Sequence, residues 1–336
     1  MAVKILGKGK IMRIEAYISD WAFHQDLTLK EAECLTHVNY SFGHVVEGRV
    51  SIDHLKQLDR LRRVQTEFPW LKVNLSVGGW KADGFSAAVA DEASREKLAQ
   101  SAVEVIEKLQ LTGIDWDWEY PGSDEAGIAA SPEDPENMSE FLVLMRGKLD
   151  VLGEKNRCYY EQSIAVGASR TGDYLWQKVL PALDTVNLMT YDMNNGKKVV
   201  HVTNLHSASE DMYSAEKSVA DFVAAGVPKE KLLLGAAFYY HNFEGISLPE
   251  PFGKSYASKG NHMDHDQLTE DWEYHWDEAA KAAYYLRDNA LLSGDDSRSL
   301  TEKRMFMEKE GLGGVIIWEL NHDRKHLLLP YLTGNV

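Results

Sequence analysis

Eight short runs of β-branched or apolar residues recur along the chain, and most of the stretches between them carry apolar residues three and four apart. The runs are RIEAYIS (13–19), LTHVNYSF (35–42), LKVNLSV (71–77), GIDWDWE (113–119), SIAVGAS (163–169), TVNLMTYD (185–192), KLLLGAAF (231–238) and GGVIIWEL (313–320). Helical spacing fills 54–68, 95–111, 136–152, 214–226 and 299–311, with Gly226 and Gly311 where a helix C-terminus favours glycine. Strands that alternate with helices pair in parallel, and eight of them close on themselves. The pattern therefore predicts an α/β fold, a (β/α)8 TIM barrel over 12–241 and 293–336. Residues 242–292 interrupt the interval before the eighth strand. Rich in aromatic and charged side chains, they are expected to form a small α+β insertion lobe. Residues 1–11 precede the first strand as an N-terminal extension, and no internal repeat or linker divides the rest.

A net charge of -16 argues against nucleic acid and against anionic membrane surfaces, since both reward Lys and Arg. A neutral or cationic substrate fits it. No apolar run approaches the length needed to span a bilayer. The N-terminus as written has no secretory signal, so the expected location is cytoplasmic, or extracellular if a signal was removed. A monomer is expected. Cys34 and Cys158 are too few for a disulfide scaffold and lie near no metal-ligand spacing; both are expected to be buried thiols. His201, His206, His262 and His265 follow no ligand pattern and are expected to be exposed. No metal and no cofactor are called for. The NNGKK segment (194–198) is expected to be an ordinary solvated loop.

Within GIDWDWEYP (113–121), Asp115, Asp117 and Glu119 alternate with Ile114, Trp116 and Trp118. On a strand, alternate side chains share a face, so three carboxylates point one way and the apolar residues the other. In a barrel the carboxylates point inward, with Glu119 nearest the C-terminal mouth where active sites lie. Crowded carboxylates in a low-dielectric pocket cannot all ionise near neutral pH, so at least one is raised. A proton kept on Glu119 is what a general acid needs.

These residues resemble the Asp-Gly-x-x-Asp-x-Asp-x-Glu signature of family 18 glycoside hydrolases, the chitinases and their relatives. NLSVGGW (74–80) is similar to the family's Ser-x-Gly-Gly motif, LMTYDM (188–193) to its Met-x-Tyr-Asp motif, and GGVIIWEL to its eighth strand, which ends in tryptophan. The resemblance runs over nearly the whole chain in the right order. It implies substrate-assisted, retaining hydrolysis of a β-1,4 bond beside an N-acetylglucosamine, on chitin or its oligosaccharides, without a protein nucleophile. Glu119 would be the acid and then the base, Asp117 would hold the acetamido N–H, and Asp115 would share a proton with Asp117. Tyr191 would grip the acetamido oxygen, with Met189 two residues before it on the same face. Asp192 points away from Tyr191 on an ideal strand, yet the family uses this position.

Trp318 fits either a cap on the core or a floor for sugar stacking, and its place in the eighth-strand motif favours the floor. Trp80 fits an aromatic platform on the leaving-group side or loop packing. Tyr17 and Phe42 fit pocket or core. Gly78 and Gly79 are expected to let the backbone pass close to the sugar. The chain departs from the family at Thr112, where the first motif aspartate would stand, and at GAAFYYH (235–241). There Ala237, Tyr240 and His241 replace Pro, Gly and Arg, which predicts a cleft reshaped by the bulk of Tyr240 and by the arginine lost at His241. Two alternatives accompany a chitinase: an endo-β-N-acetylglucosaminidase acting on glycoprotein glycans, supported by the altered segment, and a non-catalytic chitin-binding lectin. The intact Glu119 weighs against the lectin.

Overall fold

The computed structural model describes residues 5–6, 10–193, 196, 198–209 and 212–334. Eight parallel strands lie where the apolar runs placed them: β1 (Arg13–Ser19), β2 (His37–Val46), β3 (Lys72–Gly78), β4 (Gly113–Asp117), β5 (Glu161–Gly167), β6 (Thr185–Met189), β7 (Leu232–Ala237) and β8 (Gly314–Trp318). Each pairs with its sequence neighbour, and β8 pairs with β1, closing the sheet into the expected (β/α)8 barrel. Helices α1 (Leu29–Cys34), α2 (Leu58–Glu67), α3 (Glu92–Leu109), α4 (Asp134–Asn156), α5 (Ala215–Ala224) and α6 (Ser297–Glu310) follow or precede the strands around the outside. Among the described residues no helix is long and apolar enough to cross a membrane.

Period-two alternation sorts the side chains into two layers. Ile14, Val38, Leu75, Ile114, Trp116 and Trp118 face outward into one continuous apolar layer beneath the helices. There Trp116 meets Phe141 of α4 edge-on at 4.8 Å, and Trp118 stacks on Phe85 at 5.2 Å. Many inward residues are polar, and toward the N-terminal end they are satisfied by one another. Asn39 donates to Glu15 and Asn74 to Asn39, while Arg13, Lys72 and His37 converge on Glu161 at the N-terminal end. A hydrogen-bonded polar interior pins register, because any unmatched group would be left unpaired in a dry barrel.

The insertion sits between β7 and β8 as expected, but it is an antiparallel sheet and not α+β. Its strands include Tyr239–Glu244, Glu273–Asp277, Ala282–Arg287 and Ala290–Gly294, and its helical content is a single 3-10 turn at His265–Gln267. The alanine-rich DEAAKAAYYL run favours a helix on propensity alone. Instead Lys281 adopts a left-handed conformation (φ 51) and turns the chain back, pairing Asp277 with Ala282. Cross-strand burial of Trp272, Tyr240, Tyr285 and Leu292 overrides the local preference.

Two smaller expectations are corrected. Cys158 is exposed and Cys34 only half-buried; Cys158 directly follows Arg157, the left-handed residue that ends α4, and so sits on a surface turn. His201 is fully buried, in contact with Asp277, and His206 and His265 are half-buried. Of the N-terminal extension, residues 1–4 and 7–9 lie outside the described residues, while Ile5–Leu6 pairs with Lys10–Ile11. Asn194, Asn195 and Lys197 of the 194–198 loop also lie outside them.

Candidate active site

A cavity of about 1310 Å3 opens at the C-terminal mouth of the barrel. Its lining brings together Glu119, Asp117, Tyr191, Met189, Asp192, Trp318, Trp80, Tyr17, Phe42 and Gly79 from six strand ends. Asp115 lies one layer deeper, wholly buried. The inward alternation of β4 produces this order, with Asp115 beside Ser76 and Ser163 across the register of β3 and β5.

Both oxygens of Asp115 are occupied. Ser163 (2.6 Å) and Asn187 (3.1 Å) donate to Oδ1, and Ser76 (2.7 Å) and Tyr17 (2.9 Å) donate to Oδ2. Burial pushes Asp115 up, while the donors Ser163, Ser76 and Tyr17 pull it back. None of these four contacts joins Asp115 to Asp117. Asp117 is 4% exposed, and its Oδ1 is buried without a partner. Burial, then Glu119 and Asp115, hold it well above the usual carboxylate range. Glu119 is pushed up to about 7, first by burial and then by the charges of Asp192 and Glu125, with the neighbouring Tyr120 hydroxyl pulling the other way. The pair therefore presents a carboxyl that can give up a proton near neutral pH beside a carboxyl oxygen with nothing to accept.

Trp318 forms part of an aromatic corner. Phe42 stacks on it at 5.5 Å and 19°, and Tyr17 leans on it at 5.5 Å. Trp80 stands on the rim, 53% exposed, with Tyr120 edge-on at 6.4 Å. Gly78 and Gly79 prove to serve close packing within the protein. A Cβ on Gly78 (φ +124) would stand 2.0 Å from the Asp117 carbonyl oxygen, and one on Gly79 (φ +91) 2.7 Å from the Phe42 ring.

Asp192 does reach the cavity, for a reason the ideal-strand argument missed. β6 ends at Met189, and Asp192 itself has φ 55, which swings its side chain to the same side as Tyr191. There Tyr239 Oη donates to Asp192 Oδ1 at 2.6 Å, and His241 Nε2 donates to the same oxygen. The expectation for Tyr240 is overturned. Tyr239–Glu244 runs as a strand of the lobe, so Tyr239 and His241 face the cleft while Tyr240 is fully buried in the lobe's own cluster. Period two decides which of the three departures touches the cleft, and it is His241. Tyr120, Trp21, His44 and Glu125 also line the cavity and went unnoticed in the sequence. Tyr120 had the plainest signal, being the neighbour of Glu119, whereas Trp21 and Glu125 come from loops without periodicity and His44 from the end of β2, beyond the run read as a strand.

Comparison with known proteins agrees with this geometry. The family described as glycosyl hydrolases family 18 matches residues 13–323. Chitinase A1 of Niallia circulans is 30% identical over 319 residues, covering 84% of this chain and 44% of that protein. Chitotriosidase-1 of Mus musculus is 25% identical over 363 residues, covering 96% and 76%. Among solved structures, a protein described as a family 18 N-acetylglucosaminidase from Paenibacillus barengoltzii superposes with a TM-score of 0.92 at 38% identity, covering 97% of this chain and all of that one. The chain thus spans less than half of the first of these relatives and most of the second.

Proposed function

The chain belongs to glycosyl hydrolases family 18, and from that premise we propose that it is a retaining hydrolase of β-1,4-linked N-acetylglucosamine oligosaccharides acting by substrate assistance. One observation carries the reading. A carboxyl held near pKa 7 lies beside a buried, unpartnered carboxylate oxygen in a cleft floored by tryptophan. Glu119 gives its proton to the glycosidic oxygen as the C1–O bond breaks. The substrate's acetamido oxygen closes on C1, forming an oxazolinium ring, so no protein nucleophile is required. Asp117 Oδ1 accepts the acetamido N–H, and the positive charge that develops on the ring favours the ionised form of Asp117, which burial and its acidic neighbours otherwise disfavour. Tyr191, with Met189 below it, confines the acetamide from the other side and fixes its line of attack. Glu119, now ionised, takes a proton from water, which opens the ring at C1 with net retention.

Trp318, with Phe42 and Tyr17 packed against it, gives the sugar at the reacting position an apolar face at little entropic cost. Trp80 offers a similar face to the leaving group, and Asp192 an acceptor to a hydroxyl. Release of a chromophore from an N,N'-diacetylchitobioside tests the reading. Glu119→Gln keeps folding and sugar binding but lowers turnover by roughly 10²–10⁴-fold; near-wild-type turnover in that variant would remove Glu119 from the role.

A second reading is favoured by the 38% identity to the Paenibacillus protein described as an N-acetylglucosaminidase. In that case single N-acetylglucosamine units leave the chain end. Products from chitin oligomers of defined length distinguish the two, monomer for the second reading and dimer or longer for the first.

A further inference from the structure

β2 pairs with β3 as far as Gly43 and then runs on to Val46. It turns back through Glu47 and Gly48, both left-handed (φ 50 and 71), and pairs Val46 with Arg49 and His44 with Ser51. A two-residue turn of that conformation suits a tight hairpin. Gly43 and Val45 face the core, where a Cβ on Gly43 would stand 3.0 Å from Leu75 Cδ2. Phe42, His44 and Val46 therefore line the cavity in a row about 13 Å long. The hairpin is tied to α3: Val50 N–H donates to Ser101 Oγ at 2.8 Å, Lys97 Nζ to the Glu47 carbonyl at 2.7 Å, and Arg49 pairs with Glu104. On its other flank it meets the loop that carries Trp80, since a Cβ on Gly84 would stand 2.6 Å from the Val45 carbonyl oxygen.

The row starts at Phe42, which stacks on Trp318, and leads outward to His44 and Val46, both exposed. His54 fixes the His44 ring: the two imidazoles stack at 4.0 Å and 10°, and His54 Nε2 donates to the Phe42 carbonyl at 2.9 Å. Burial and the neighbouring His54 lower His44, which keeps it neutral near pH 7, with one ring nitrogen to donate and one to accept. A sugar ring has apolar C–H faces edged by polar groups, so it fits a wall that alternates apolar side chains with a fixed donor and acceptor. At about 1310 Å3 the cavity also exceeds the roughly 300–1,000 Å3 that suits a small molecule. We propose that the hairpin face is a further sugar-binding wall for an N-acetylglucosamine beyond the two that flank the scissile bond. Val46 packs on its ring and His44 hydrogen-bonds to its hydroxyl or acetamido group, so chains of three or more sugars are preferred. The inference rests on the reading of the cleft as that of a chitooligosaccharide hydrolase.

The test is kcat/KM per cleavable bond on chitin oligomers of two to six units, for the wild type, Val46→Thr and His44→Ala, with thermal melts to establish folding. The wild type favours the longer chains. Val46→Thr keeps the shape of the wall and makes it polar, and His44→Ala removes the hydrogen bond. Each variant lowers the ratio of kcat/KM on the tetramer to kcat/KM on the dimer by roughly 3- to 10-fold, mainly through KM. A merely structural role would lower kcat/KM alike at every length. A wild type indifferent to length overturns the inference, and so do folded variants that keep the wild-type ratio, whatever their absolute rates. Should His44→Ala fail to fold, Val46→Thr is read against the same outcomes. A wild type inert on every oligomer removes the underlying reading as well, whereas an active enzyme with an unmoved ratio removes this inference alone.

Discussion

The position of Glu119 fixes how activity must fall with pH. Burial, reinforced by Asp192 and Glu125, raises it from an ordinary 4.5 to about 7. At pH 7 about half of the molecules then carry the proton, against roughly one in 300 for an unperturbed glutamate. Protonated Glu119 is the competent form of the free enzyme. Raising the pH through 7 therefore removes activity, roughly tenfold per unit once the limb is established. The assay is kcat/KM for a chromogenic chitobioside from about pH 5 to about pH 9. Asp192→Asn adds a sign test. Its charge makes Glu119 harder to ionise, so removing it moves the limb to lower pH. A profile flat to about pH 9, or a limb that moves up in Asp192→Asn, would refute the electrostatic argument.

Two further outcomes concern stability. Gly78→Ala places a methyl 2.0 Å from the Asp117 carbonyl oxygen at φ +124; the variant is expected to lose about 3 kcal/mol or more in denaturant melts, and an unchanged midpoint contradicts the steric reading. Lys303 is buried beside β7, where its Nζ donates to Asp295 Oδ2 (2.7 Å), Thr203 Oγ1 (2.6 Å) and the Gly235 carbonyl (3.0 Å). Lys303→Met strands the Asp295 charge and should cost about 3–5 kcal/mol, part of which returns in the double variant with Asp295→Asn. A double variant no more stable than the single one would show that the charge is not what is lost.

The barrel was legible because eight short apolar runs, most of them separated by amphipathic helical spacing, leave few other ways to bury their apolar faces. The carboxylates of β4 were legible as well, since alternation alone puts Asp115, Asp117 and Glu119 on the inner face. What escaped was decided by single backbone angles and by long-range partners. Asp192 joins Tyr191 in the cleft because of its own left-handed conformation, which no periodicity encodes. The alanine-rich run of the lobe became a hairpin through the turn at Lys281 and the burial of Trp272 and Tyr285 across the sheet. Of the two departures Tyr240 and His241, only His241 meets the cleft and Tyr240 does not, because Tyr239–Glu244 is a strand, and which face of it meets the cleft depends on where the barrel ends. Asp115 is filled by serines, a tyrosine and an asparagine from four other strands, a network visible only once the register is fixed.

The central claim is that the substrate's own amide performs the attack which Glu119 assists. A series of aryl N-acetylglucosaminides, or chitobiosides, whose reacting sugar carries acetyl, fluoroacetyl, difluoroacetyl and trifluoroacetyl groups tests it most directly. Each fluorine weakens the amide oxygen as a nucleophile while scarcely changing the bond to be broken. The account predicts that kcat declines steeply and steadily along the series; a kcat indifferent to fluorination would contradict it.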